Sequence, residues 1–190
     1  MSSLDNDFNE LIERIRHGRE FGHASFEPIF YLVFHPEQIL DVKRRQFAWE
    51  RRLANDGWDV HSFSIADEIT DILAKAPMRK IWLVADQKAP LAWDKTNGSL
   101  ANAVAGGALQ KRLEAKLETL EGKPKAILLV TDLEALHSYL RIGVIEGQLQ
   151  GKFHVPTVFL YPGVRTGKTR LRFLGFYPED GNYRSVHVGG

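Results

Sequence analysis

Leu4, Phe8, Leu11, Ile12 and Ile15 recur at the spacing of one helix face, with serines ahead and Gly18 behind. This pattern predicts an amphipathic N-terminal helix. Residues 19–27 read as a connector, so 1–27 form a leading helix and tether for the rest of the chain. Ile29 to Phe34 is an unbroken apolar run of strand length, the pattern of a strand covered on both faces. From Glu37 to Asn55, the positions Ile39, Val42, Phe47, Trp49 and Leu53 predict a helix packed through those side chains and closed at Gly57. Trp58 to Ile65 then reads as a second strand. Strand, helix, strand is the order that builds a parallel sheet.

Ala66-Asp67-Glu68 opens a further helix through Ala76. The run Ile81-Trp82-Leu83-Val84 fits either a short strand or the core face of another helix, and helix is favoured. Pro90 to Gly98 reads as a connector with Trp93 tucked inward. Leu100 to Leu120 reads as one long helix carrying Gly106-Gly107, where two glycines cost about 1 kcal/mol each and imply a kink or close contact. Ala126 to Val130 is another buried strand, Leu133 to about Gln150 a helix, and Val155 to Tyr161 a third buried strand. Leu171, Phe173 and Tyr177 alternate with Arg170, Arg172 and Phe176 in strand period, and Tyr183 to Val188 completes the chain as an edge strand. The expected architecture is a single α/β domain over residues 1–190. It is three-layered and doubly wound, with a mainly parallel sheet and an antiparallel C-terminal hairpin.

Composition narrows the chemistry. The 190 residues are 44% hydrophobic, enough for one core, and the formal net charge is +1. A global pull toward nucleic acid or anionic membrane is therefore weak. There is no cysteine, which removes disulfides, thiolate nucleophiles and Cys-ligated zinc. The acidic start and the lack of a long apolar run point to a cytoplasmic protein with no membrane span.

Gly167-Lys168-Thr169 resembles the end of a phosphate-binding loop, but that motif needs its first glycine where Pro162 stands, and no helix start follows Lys168. Thr166 to Thr169 reads instead as the tip of a hairpin. The seven histidines form neither His-x-His nor His-Glu-x-x-His, and no Gly-x-Ser-x-Gly elbow occurs, so no metal, cofactor or catalytic residue is expected. Ligands in doubly wound sheets sit beyond the carboxyl ends of the strands. That rule singles out His35, Asp132, Tyr161 and Arg165 as an alternative pocket of a nucleotide- or phosphodiester-handling enzyme. Helix capping is the simpler reading of Asp132. Lys43, Arg44, Arg45, Arg51 and Arg52 place four arginines on one side of the 37–55 helix, and Arg165, Lys168, Arg170 and Arg172 lie on the hairpin. These cations fit a solvated face, a protein contact or, in a DNA-binding subunit, a phosphate backbone.

The last third also carries a family likeness. Val155-Pro156 leads an apolar strand into Tyr161-Pro162-Gly163; a polar turn and Leu171-Arg172-Phe173-Leu174-Gly175 follow, then Asn182-Tyr183-Arg184-Ser185. In these features, and in the 29–34 strand with its basic helix, the chain resembles BrxB, a small component of the BREX bacteriophage-defence systems. The resemblance implies a subunit without catalytic residues that associates with other BREX proteins. These are the alkaline-phosphatase-like PglZ, the ATPase BrxC and the methyltransferase PglX, with PglZ the first choice of partner. Direct DNA binding is not expected of it.

Overall fold

The computed structural model of the protein describes residues 3–18, 27–167, 170–181 and 185–190. Helix α1 spans Ser3–Gly18, strand β1 Ile29–Phe34, α2 Ile39–Asn55 and β2 Asp59–Ser64. Four helices follow: α3 Ile65–Lys75, α4 Arg79–Lys88, α5 Trp93–Ala105 and α6 Ala108–Leu120. Strand β3 spans Ala126–Thr131, α7 Ile142–Gln148, β4 Thr157–Arg165, β5 Leu171–Phe173, β6 Glu179–Asp180 and β7 Val186–Gly189.

The central strands are all parallel, in the order β2-β3-β4-β1-β7, and β5 and β6 extend β4 as an antiparallel hairpin. Register follows the apolar runs, with Ile29 opposite Thr157 and Phe34 opposite Pro162 in the β1–β4 pair. Each buried strand serves two cores because successive side chains point to opposite faces. Phe30, Leu32 and Phe34 pack with Leu129 and Leu160 under α1 and α2. Tyr31, Val33, Leu128 and Phe159 face α3, α5, α6, α7 and the hairpin. Helices thus cover both faces of a mainly parallel sheet. Among the described residues, no helix is long and apolar enough to cross a membrane.

Several elements depart from the sequence reading. The 100–120 pattern is two helices rather than one: Gly107 turns the chain at φ +88°, and α6 restarts behind it. Helix α5 begins at Trp93, so the expected connector over 90–98 is largely helical. Trp93 is 60% exposed rather than tucked in. The inward tryptophan is Trp82, whose Nε1 donates to Ser99 Oγ at 2.8 Å. The 133–150 segment is a 3-10 turn over Leu133–Leu136 followed by α7. Tyr139 and Leu140, in between, leave the helical path to pack on the core.

Phe47 is 66% exposed instead of buried, and the Arg51 guanidinium sits 5.2 Å from its ring centroid. Strand β5 stops at Phe173, short of Tyr177, because Leu174 and Gly175 turn at φ 52° and 75°. Strand β7 starts at Val186, and Tyr183 at the expected start of the edge strand lies outside the described residues. Lys168 and Thr169 at the expected hairpin tip lie outside them too.

Candidate functional site

The carboxyl edge of the sheet gathers a compact polar cluster. β2 ends at Ser64 and β3 at Thr131, and the chain turns at Asp132 with φ 58°. The Asp132 carboxylate accepts from Ser64 Oγ at 2.8 Å and Thr131 Oγ1 at 2.9 Å, and pairs with Lys43 of α2. Lys43 Nζ also reaches Glu134 at 2.7 Å. Burial pushes the Asp132 carboxyl up, but the bonds from Lys43, Ser64 and Thr131 outweigh it and hold it below the usual carboxylate range. Burial lowers Lys43, and its two carboxylate partners outweigh that and raise it. The crevice beside Lys43, lined also by Phe34, Val42 and Leu160, measures about 10 Å³, the room of one water. These bonds clamp α2 to the ends of β2 and β3.

The structure does not gather the four predicted pocket residues. Asp132 stands where a cap would, yet its side chain makes no capping bond to the 133–136 turn. It is held by Ser64, Thr131 and Lys43 instead. His35 does cap its own turn, accepting from the Glu37 backbone N–H at 3.4 Å while the Gln38 side chain accepts from the His35 backbone N–H. The Tyr161 ring is buried in the opposite core, 5.6 Å from Tyr31. Arg165 donates through Nε to the Gly167 carbonyl at 3.0 Å, within the hairpin.

The predicted arginine face is divided rather than shared. Arg45 pairs with Asp5 at 3.4 Å and Arg52 donates to Asn9, so both tie α2 to α1. Arg44 pairs with Asp41 at 3.2 Å, and Arg51 rests over Phe47. Residues one apart on a helix differ by about 100° in direction, which sends Arg44 and Arg45 to different surroundings. On the hairpin, Arg170 and Arg172 flank Glu179 at 3.6 and 3.3 Å.

A second buried polar group escaped the sequence reading. Glu146 of α7 is 9% exposed and accepts from the Tyr31 hydroxyl. Tyr31 in turn stacks on Phe159 at 5.0 Å and meets His187 edge-on at 5.3 Å. Burial first, then the charges of Glu27 and Asp180, pushes the Glu146 carboxyl up to about 7 against the Tyr31 hydrogen bond. Burial lifts the Tyr161 hydroxyl well above its usual range. It lowers His187 to about 4, with Arg165 adding to the effect. The signal was present in the spacing: Glu146 shares a helical stripe with Ile142, Ile145 and Leu149.

The surface is uneven. Between Pro77 and Lys95, Trp82 is the one buried residue. Met78, Ile81, Leu83, Val84, Leu91 and Trp93 are all exposed, Leu91 to 93%. A groove of about 330 Å³ runs among α3, α4 and α5, lined by Leu73, Arg79, Trp82, Leu83, Asp86 and Leu100 among others. Among the described residues, no group of three His, Asp or Glu side chains could hold a metal ion. Comparison with protein-family models, curated proteins and solved structures finds no match for the chain.

Proposed function

We propose that this chain is a BrxB-like, non-catalytic subunit of a BREX phage-defence complex that works by binding a larger partner, with PglZ the first choice. The BrxB likeness rests on the Val155–Gly175 and Asn182–Ser185 segments, and the binding role on the surface. The observation that carries the binding role is the 77–95 segment, where six large apolar side chains face water around one buried tryptophan. Several large apolar side chains left exposed on one short segment of a folded domain point to a contact site.

Two further observations favour the same reading. The polar clusters at the carboxyl edge and around Glu146 are internally satisfied: Asp132 by Lys43, Ser64 and Thr131, and Glu146 by Tyr31. They hold elements together. The cations of α2 are largely engaged by carboxylates and an amide of the same chain, which favours protein contact over a phosphate backbone. Arg51, Phe47 and the exposed Leu40 form a smaller second patch on α2.

The test is to tag the protein at its native locus and identify what co-purifies. Recovery of PglZ or another BREX protein at near-stoichiometric yield is expected. Recovery of none, or turnover of nucleotides or phosphodiesters by the pure protein, would overturn the reading.

A further inference from the structure

We propose that the outer edge of β2, with the stripe of α2 beside it, joins two copies of this chain about a two-fold axis. This goes beyond the subunit role above, which rests on the 77–95 segment and stands or falls separately. β2 ends the sheet: among the described residues it pairs with β3 alone. The Asp59 backbone N–H donates to the Lys125 carbonyl at 2.9 Å, so Asp59, His61 and Phe63 aim their backbone groups at β3. Successive residues of a strand aim these groups in opposite directions, which turns the N–H and C=O of Val60 and Ser62 outward. Ser62, in mid-strand, is exposed. Folded proteins guard such edges with lysine, proline or a bulge. β2 has none of these and keeps an unbroken register with β3 from Asp59 to Ser64. Its carboxylate, Asp59, is bonded to His61 at 2.8 Å.

An open edge accepts another strand, whose N–H and C=O groups recur at the same spacing. Antiparallel pairing of β2 with itself satisfies every outward group of Val60 and Ser62 at once. With His61 beside the axis, Val60 stands opposite Ser62 of the second copy, and the two exchange both hydrogen bonds on each side of the axis. On the face away from α2, the two copies of His61 meet, each bonded to its own Asp59. An axis normal to the sheet keeps both copies of α2 on one face, side by side and running in opposite directions.

The α2 stripe selects a second copy as the occupant. Phe47, Glu50, Arg51 and Ala54 stand at i, i+3, i+4 and i+7, and with Val60 and Ser62 they line a groove of about 200 Å³. Reversed across a two-fold axis, this stripe sets Phe47 against Ala54 and Arg51 against Glu50: large against small, cation against carboxylate. A space of about 150 Å³ holds a benzene ring, so the groove has room for the second copy's Phe47. Phe47 is exposed and lies under the Arg51 guanidinium, which positions it before the contact forms. Arg44 and Arg45 have carboxylate partners within the chain. Glu50 accepts from the Gln46 amide at 2.8 Å, and among the described residues neither Glu50 nor Arg51 forms an ion pair. A foreign strand would satisfy the backbone of β2 but leave this stripe unmatched.

The experiment is sedimentation velocity of the full-length protein over a concentration series. A reversible dimer is expected in the parent. Ser62→Pro deletes one outward N–H and no bond to β3, so the monomer should fold while the dimer dissociation constant rises at least about tenfold. Arg51→Glu and Glu50→Arg each set like charges across the axis and should weaken self-pairing as well. Mixed in equal amounts, these two variants should pair with each other about as tightly as the parent does, because both contacts then join opposite charges. That rescue decides the matter even if Ser62→Pro fails to fold. A parent that stays monomeric at every concentration would overturn the proposal. So would a dimer indifferent to a folded Ser62→Pro, or charge variants that do not recover on mixing. Capture of extended peptides from a random display library by a monomeric parent, lost in Ser62→Pro, would likewise overturn it and assign the edge to a foreign strand.

Discussion

Strand β1 and helix α4 both contain unbroken apolar runs, Ile29 to Phe34 and Ile81 to Val84, yet every residue of β1 is buried whereas α4 buries Trp82 alone. The strand has neighbours on all sides: β4 and β7 pair with its edges, and helices cover both faces. Helix α4 has neighbours on one side. The same local chemistry thus has two outcomes, and the difference lies in whether the chain itself provides the cover. Where it does, the apolar run is core; where it does not, the run stays in contact with solvent.

This contrast orders the expected effects of mutation. Phe159→Ala empties a site on β4 that is wholly enclosed and touches both Tyr31 and Phe153, and should cost about 3–5 kcal/mol in chemical denaturation. A cost near that of a surface change would show that the two regions do not differ as described.

Glu146 gives the next effect, through pH. Its folded-state pKa of about 7 lies above the 4.5 of the unfolded chain, so the folded protein holds the proton more firmly. Stability from this group is fully present below about pH 4.5 and is lost as pH rises through about 7, by up to about 3 kcal/mol. Unfolding followed across that window should show the decline in the parent. Glu146→Gln should flatten it, and an equal decline in the variant would remove Glu146 as the cause.

Trp82→Ala should fall at the low end of the Phe159→Ala range globally, about 3 kcal/mol, because Trp82 is buried beside an open groove whose walls can close in. Its signature is local. Hydrogen exchange should show α4 amides losing protection while β1 and β3 keep theirs. Equal loss across the sheet would mean that α4 is integral to the core.

The three buried strands were legible in the sequence because the fold covers their apolar residues. Ile29–Phe34, Ala126–Thr131 and Thr157–Tyr161 are buried on both faces, so a continuous run was sufficient signal. The first turns of α5 were misread because Pro90 and Gly98 are breaker residues, while the helix start depends on tertiary support that no local pattern displays. Phe47 and Trp49 both looked like core positions, but they stand about 200° apart on α2 and one face reaches the sheet. Trp49 reaches it, stacked on Phe8 at 4.5 Å.

The candidate site was less legible. Asp132 was singled out as a polar group at a strand end and the α2 cations as one basic helix face, but the partners that hold them, Ser64, Glu134, Asp5 and Asn9, come from distant segments. Glu146 was missed because a carboxylate within a helical pattern reads as its outer face unless the stripe it shares is followed residue by residue.

The smallest effect on folding should accompany the largest on binding. Leu83→Asp replaces an exposed side chain and should shift stability by no more than about 0.5 kcal/mol. The direct measurement is quantitative co-purification from the native locus, comparing the parent with Leu83→Asp at matched expression and confirmed folding. Recovery of PglZ or another BREX partner with the parent, reduced at least about tenfold by Leu83→Asp, is the expected result. Undiminished recovery with a folded Leu83→Asp protein would contradict the assignment of the α4–α5 surface as the contact.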